Sequence, residues 1–145
     1  MRVIVQRVSS ATVVIDGIIH GKIDSGALIL VGFCNSDTKE EVNWMCNKLA
    51  GLRIFSDNDG KMNLSIHDIR GKILLVSNFT LYGDAQRGFR PSFSNASAPE
   101  LAKPLYEYMI DKMSILGIIP ETGIFGANMQ VSLVNDGPVT LFIEK

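Results

Sequence analysis

Two histidines, His20 and His67, are the side chains best suited to moving protons near neutral pH, and neither sits in a catalytic pattern. His20 follows an Asp16-Gly17 turn and His67 lies in a polar stretch, so both read as surface residues. A serine or threonine nucleophile needs an adjacent base. The chain has no G-x-S-x-G elbow, HExxH helix, zinc-deaminase signature, Walker loop or GxGxxG. The paired carboxylates Glu40 and Glu41 fall in an exposed helical turn. Cys34 and Cys46 form neither a CxxC nor a Cys/His cluster, so reduced structural thiols are expected, with no metal and no cofactor. Any catalysis therefore falls to backbone N–H groups arranged as an oxyanion hole, or to help from the substrate itself.

Two segments are suited to such a site. In "SNFTL", residues 77–81, an apolar strand turns polar at Ser77, Asn78 and Thr80. These groups either line a site or satisfy the strand end. In "NDGPVT", residues 135–140, an Asn-Asp-Gly turn signal runs straight into Pro138. Proline fixes φ and donates no hydrogen bond, so it begins a paired strand poorly. The segment reads as an unusual hairpin tip between two strands, or as a functional feature.

The elements that must hold these segments follow from periodicity. The 145 residues suit one domain, 1–145, and 46% hydrophobic against 20% charged residues predicts a folded globular chain. "RVIVQRV" alternates as a strand, and "ATVVIDGIIHGKI" predicts a hairpin about Asp16-Gly17. The run at 27–33 predicts a buried strand. Asp37 with Glu40 predicts the start of a helix carrying Val42, Met45, Cys46 and Leu49 and ending at Gly51. "RIFSDNDGKMN" predicts a loop or hairpin, and 73–76 a second buried strand. A loop of sixteen residues, from Tyr82 to Ser97, is long enough to suggest function. Ser97 with Glu100 predicts a capping box for a second helix with an apolar face from Leu101 to Leu116. Two strands are expected around the 135–140 segment. The order predicts a single-domain α/β fold of mixed β-sheets with two main helices packed on one side. The start of the chain lacks a signal-peptide core and the longest apolar run is far too short to span a bilayer, so a cytoplasmic protein is expected. A net charge of −1 carries no global nucleic-acid signal.

Taken together, "SNFTL" and "NDGPVT" resemble the two signature motifs of the D-aminoacyl-tRNA deacylases. "QRV" near the start, "RIFSDNDGKMN", "RPSFS" at 90–94 and "MQVSLVNDGPVT" extend the similarity along the whole chain. The resemblance implies a homodimeric carboxylic ester hydrolase acting in translation quality control. It would cleave the ester joining a D-amino acid to the terminal adenosine of tRNA, and act on mischarged glycyl-tRNA. The family's first motif usually has glutamine where this chain has Asn78, which is one methylene shorter.

The same resemblance implies the roles of individual residues. Ser77, Asn78, Phe79 and Thr80 line the ester site, with backbone amides near the developing oxyanion. Thr80 is a nucleophile or a positioning residue; positioning is preferred because no base for it is visible, and the ribose 2′-hydroxyl would assist attack by water. Gly137 and Pro138, joined by a cis bond, would enter the partner subunit's site as a chiral filter. Proline makes cis accessible at about 0.5–1 kcal/mol, and glycine leaves no Cβ to block the pocket. Phe125 and Met129 match pocket positions near the adenine, and Arg7 would brace the Gly-Pro turn. Lys61, Arg87 and Arg90 would contact tRNA phosphates. A hydrolase of small D-amino acid esters and a non-catalytic RNA-binding module are the two rival expectations.

Overall fold

A computed structural model describes residues 1–86 and 88–145. The strands are β1 (Arg2–Ile15), β2 (Ile18–Ile23), β3 (Gly26–Gly32), β4 (Phe55–Ser56), β5 (Met62–Leu64), β6 (Lys72–Ser77), β7 (Glu121–Thr122) and β8 (Gln130–Glu144). The helices are α1 (Lys39–Ala50) and α2 (Pro99–Ile115), with a 3-10 turn at Phe79–Tyr82. The main sheet runs β2-β1-β3-β6-β7, with β8 paired to the other edge of β1. The β3–β6 and β6–β7 pairs are parallel and the pairs made by β1 antiparallel, so the sheet is mixed as expected. It is curled until β2 lies against β7: a Cβ on Gly21 would stand 2.8 Å from the Thr122 carbonyl oxygen. Among the described residues no helix is long and apolar enough to cross a membrane.

Strand alternation gives the sheet two apolar faces. Ala27, Ile29, Val31, Ile73 and Leu75 meet α1 and α2 on one face, alongside Val3 and Val5. Leu28, Leu74 and Val76 turn to the other, where Val8, Ala11, Val13 and Ile23 close a smaller core. Both helices thus lie on one side, and the curl of the sheet covers the other.

The expected division of each chain end into two strands is corrected: β1 is one strand of 14 residues and β8 one of 15. Along β1 the buried positions run Val3, Val5, Val8, Ala11, Val13, so the alternation slips between Val5 and Ala11. Pairing with β8 shifts register over that same stretch. The slip carries each long strand from one core to the other: Val139 and Ile143 of β8 pack on the helix-side core, Val131 and Leu133 on the smaller one. A bulge is what lets an alternating strand change the face it buries. The segment at 135–140 is consequently a bulge within β8, and both of its flanks pair with β1 rather than with each other.

Two helix starts also differ from expectation. Thr38, not Asp37, caps α1: its hydroxyl oxygen accepts from the Glu40 N–H, and the Glu41 carboxylate accepts from the Thr38 N–H at 2.8 Å. Asp37 is occupied elsewhere, accepting from the Met1 amino group at 2.6 Å and the Cys34 N–H at 2.7 Å. At α2 the cap is Ala98, with no side-chain bond, and Pro99 supplies the first turn. Ser97 is buried one residue too early to cap; its N–H donates to the Phe33 carbonyl at 2.8 Å, docking the segment onto the end of β3.

Candidate active site

β3 and β6 run parallel and end together. At that end lies a cavity of about 920 Å³, reached by Ser77, Asn78, Phe79 and Thr80. Phe125 and Met129 line it from the segment before β8, and Gln6 lines it from β1. Six residues singled out in the sequence are therefore brought together: the four of the first motif, with Phe125 and Met129.

The first motif has a defined local structure. The Asn78 N–H donates to the Val31 carbonyl at 2.7 Å, extending strand pairing one residue past β6. Asn78 then caps the 3-10 turn, its Oδ1 accepting from the Thr80 N–H at 3.1 Å and the Thr80 hydroxyl at 2.5 Å. Asn78 thus has a definite role despite being shorter than glutamine. The Thr80 hydroxyl gives its proton to an amide oxygen, which is no base. The Phe79 N–H, first in the turn, has no acceptor among the described residues. Phe79 meets Phe93 edge-on, with ring centroids 5.2 Å apart. Gly32 permits the close approach of β3, since a Cβ there would sit 2.8 Å from the Asn78 carbonyl oxygen.

Arg2 holds the far end of the turn. Its Nη1 donates to the Leu81 carbonyl at 3.1 Å, its guanidinium lies 4.5 Å from the Tyr82 ring centroid, and its Nε donates to Glu144 at 2.6 Å. Burial is the main cause raising the Tyr82 phenol well above its ordinary pKa. No aspartate, glutamate, lysine, arginine or histidine lines the cavity among the described residues.

The second motif lies apart from this cavity in the same chain. Gln6 pairs with Thr140 and Val8 with Asn135, so residues 136–139 bulge opposite Arg7 alone. Gly137 and Pro138 are exposed at its tip, and their peptide bond is cis. Arg7 lies beneath: its Nη1 donates to the Ile54 carbonyl at 2.8 Å, and its Nε stands 3.0 Å from Asp136 Oδ2. The Asn135 amide closes the base of the bulge, donating to the Arg7 carbonyl at 2.9 Å and the Val139 carbonyl at 3.0 Å. The Thr140 hydroxyl donates to Asn135 Oδ1 at 3.0 Å, and Gln6 Nε2 stands 3.4 Å from the same oxygen. Gln6 and Asn135 were not singled out in the sequence; the break in alternation at Gln6-Arg7 was the available signal. Lys61 and Arg90 are exposed and outside the cavity, and Arg87 lies outside the described residues.

The chain matches a family model described as D-Tyr-tRNA(Tyr) deacylase over residues 4–144. It is 54% identical to a D-aminoacyl-tRNA deacylase of Exiguobacterium sibiricum, covering 100% of both chains. It is also 52% identical to one of Desulfitobacterium hafniense, covering 99% of this chain and 97% of that one. Among solved structures it resembles a c-Myc DNA Unwinding Element Binding Protein at TM-score 0.94 and 36% identity, covering 100% of this chain and 99% of that one. A probable eukaryotic D-amino acid tRNA deacylase shares the fold at TM-score 0.84 and 15% identity, covering 98% and 97%. A match that spans nearly the whole chain, with both motifs in place, shows that this protein belongs to the D-aminoacyl-tRNA deacylase family.

Proposed function

We propose that the protein hydrolyses the ester of D-aminoacyl-tRNA, and of mischarged glycyl-tRNA, to free tRNA and amino acid. The observation that carries this reading is a cavity offering hydrogen-bond donors but, among the described residues, no titratable side chain. Such a site suits an ester whose own ribose 2′-hydroxyl assists the attacking water. Water adds to the carbonyl carbon, and the resulting oxyanion accepts from the Phe79 N–H. The intermediate then collapses, expelling the ribose 3′-oxygen, which takes the proton released by water. Ser77 and Thr80 position the ester, with Thr80 held by Asn78, while Phe125 and Met129 flank the terminal adenine.

Selection against L-amino acids falls to Gly137 and Pro138, supplied by a second copy of the chain. Their position on an outer strand, away from their own cavity, favours use by a partner. So do the exposed apolar Val134, Leu141 and Phe142 along β8. An unpaired apolar edge strand is a ready dimer surface. Arg7 braces the filter from below. An L side chain would meet its carbonyls, a D side chain would point away, and glycine carries nothing to exclude. Lys61, Arg87 and Arg90 contact phosphates, which accept many tRNAs alike. The work belongs to the cytoplasm, where aminoacyl-tRNA is used.

Incubating the purified protein with matched D- and L-aminoacyl-tRNA, glycyl-tRNA and a small D-amino acid ester tests this reading. Fast loss of the D and glycyl esters with the L ester spared is expected. Equal D and L rates would remove the filter. Hydrolysis of the small ester as readily as of D-aminoacyl-tRNA would indicate a small-molecule esterase. Binding without hydrolysis would indicate an RNA-binding module.

A further inference from the structure

A second concavity, of about 390 Å³, lies at the other end of β6, and the chemistry proposed above does not use it. Its floor is apolar, with Ile66 and Ile118 almost fully buried. Its rim carries His67, Arg70 and Lys72 and no acidic residue. None of the three forms an ion pair among the described residues.

The turn that presents them is tied at several points. The Asp68 carboxylate accepts from the Ser65 N–H and hydroxyl, each at 2.7 Å, so the acid next to His67 in the chain is directed back into its own turn. These bonds hold its pKa below the ordinary carboxylate range. The Arg70 N–H donates to the His67 carbonyl and the Gly71 N–H to the Ile66 carbonyl, both at 3.0 Å. Arg70 is held at φ +52, a left-handed conformation uncommon for a residue with a Cβ. Gly117, at φ +83, lies beside the His67 ring, whose Cε1 would make an ordinary contact of 3.7 Å with a Cβ there. The Arg70 and Lys72 cations, unpaired among the described residues and set over a shaped depression, attract anions.

We propose that the cleft of His67, Arg70 and Lys72 binds a backbone phosphate of the RNA whose acylated end occupies the ester cavity; this rests on the reading given under Proposed function. Lys72 opens β6 and Ser77 closes it, five residues on. At about 3.3 Å per residue the two sites are roughly 17 Å apart along the strand. Residues 73–76 of β6 are buried, so an RNA strand takes the longer path over the surface and needs more than about five phosphates at roughly 3.4 Å each along a helix axis. The chain's net charge of −1 makes a local cluster of this kind necessary for holding a polyanion. A cleft so far from the ester contributes affinity shared by all RNA sequences and takes no part in bond cleavage.

The double variant Arg70→Gln/Lys72→Gln tests the assignment against its charge-preserving counterpart Arg70→Lys/Lys72→Arg. Uncharged tRNA binding, measured over a series of salt concentrations, should lose roughly one unit of log–log slope, for the one phosphate no longer neutralised. The KM for D-aminoacyl-tRNA should rise at least fivefold at moderate salt, with kcat unchanged. Hydrolysis of D-aminoacyl-adenosine, which has no RNA body, should stay at the wild-type rate. The charge-preserving variant should behave as wild type throughout. An unchanged slope and KM would overturn the cleft, as would equal slowing of both substrates. A wild-type protein that cleaves no D-aminoacyl ester, yet loses tRNA affinity in the Gln variant, would overturn the hydrolytic reading and spare the cleft.

Discussion

Replacing Gly137 by alanine tests whether the bulge is held by contact with Arg7. A Cβ at this position would lie 2.8 Å from Arg7 Nη2 and 3.0 Å from both the nitrogen and Cγ2 of Val139. The residue also sits at φ +118, where a side chain is strained by roughly 1–3 kcal/mol. The guanidinium cannot retreat freely, because it holds the buried Ile54 carbonyl at 2.8 Å and Asp136 at 3.0 Å. Losing a bond to a buried carbonyl costs about 1–3 kcal/mol. The ion pair adds only about 0–1, since Asp136 is more than half exposed. The exposed bulge relaxes part of this, so a loss of about 2–3 kcal/mol is expected. At roughly 3 °C per kcal/mol for a domain of this size, Tm falls about 6–9 °C. Urea unfolding of Gly137→Ala, Arg7→Ala and the double variant separates the terms. With the guanidinium gone, Gly137→Ala should cost only its backbone strain and its close contacts with Val139, giving a coupling of about 1–2 kcal/mol. D-ester hydrolysis should fall in both single variants. Strict additivity, or a Gly137→Ala protein within about 0.5 kcal/mol of the parent, would refute the reasoning.

Thr80→Ala should keep its activity within about tenfold, because the hydroxyl donates to the Asn78 amide and has no base; a trapped acyl-enzyme on Thr80 would overturn this. Asp37→Asn should lower stability by about 3 kcal/mol in urea, leaving the buried Met1 ammonium without its counter-charge; an unchanged midpoint would show that the pair contributes nothing. Burial pushes the Cys46 thiol up to about 12 from an ordinary 9.0. Its protonated form is therefore favoured by folding: that stability is complete below about pH 9 and is lost as pH rises toward 12. Thiol titration at pH 9 should modify half-buried Cys34 and spare Cys46 until the protein unfolds.

Short-range chemistry was legible in the chain itself. Asp16-Gly17 specified the β1–β2 turn, the apolar run at 27–33 the buried β3, and the spacing from Val42 to Leu49 the buried face of α1. Each depends on neighbours a few residues away, which a sequence displays directly. The two motifs likewise named the family, because a motif is local. Tertiary structure decided what local signals leave open. Thr38 rather than Asp37 caps α1 because Asp37 is drawn to the Met1 amino group, a partner 36 residues distant. Ser97 fails to cap α2 because its backbone docks on Phe33. The 135–140 segment looked like a hairpin tip because asparagine, aspartate and glycine favour turns wherever they stand. Whether such a turn joins two strands or bulges from one depends on what lies opposite. Here it is β1, which must pass from one apolar core to the other and so pairs with both flanks. The exposed Gly-Pro tip, the Arg7 brace beneath it and the Asn135 clamp all follow from that long-range pairing, and no window of sequence contains it.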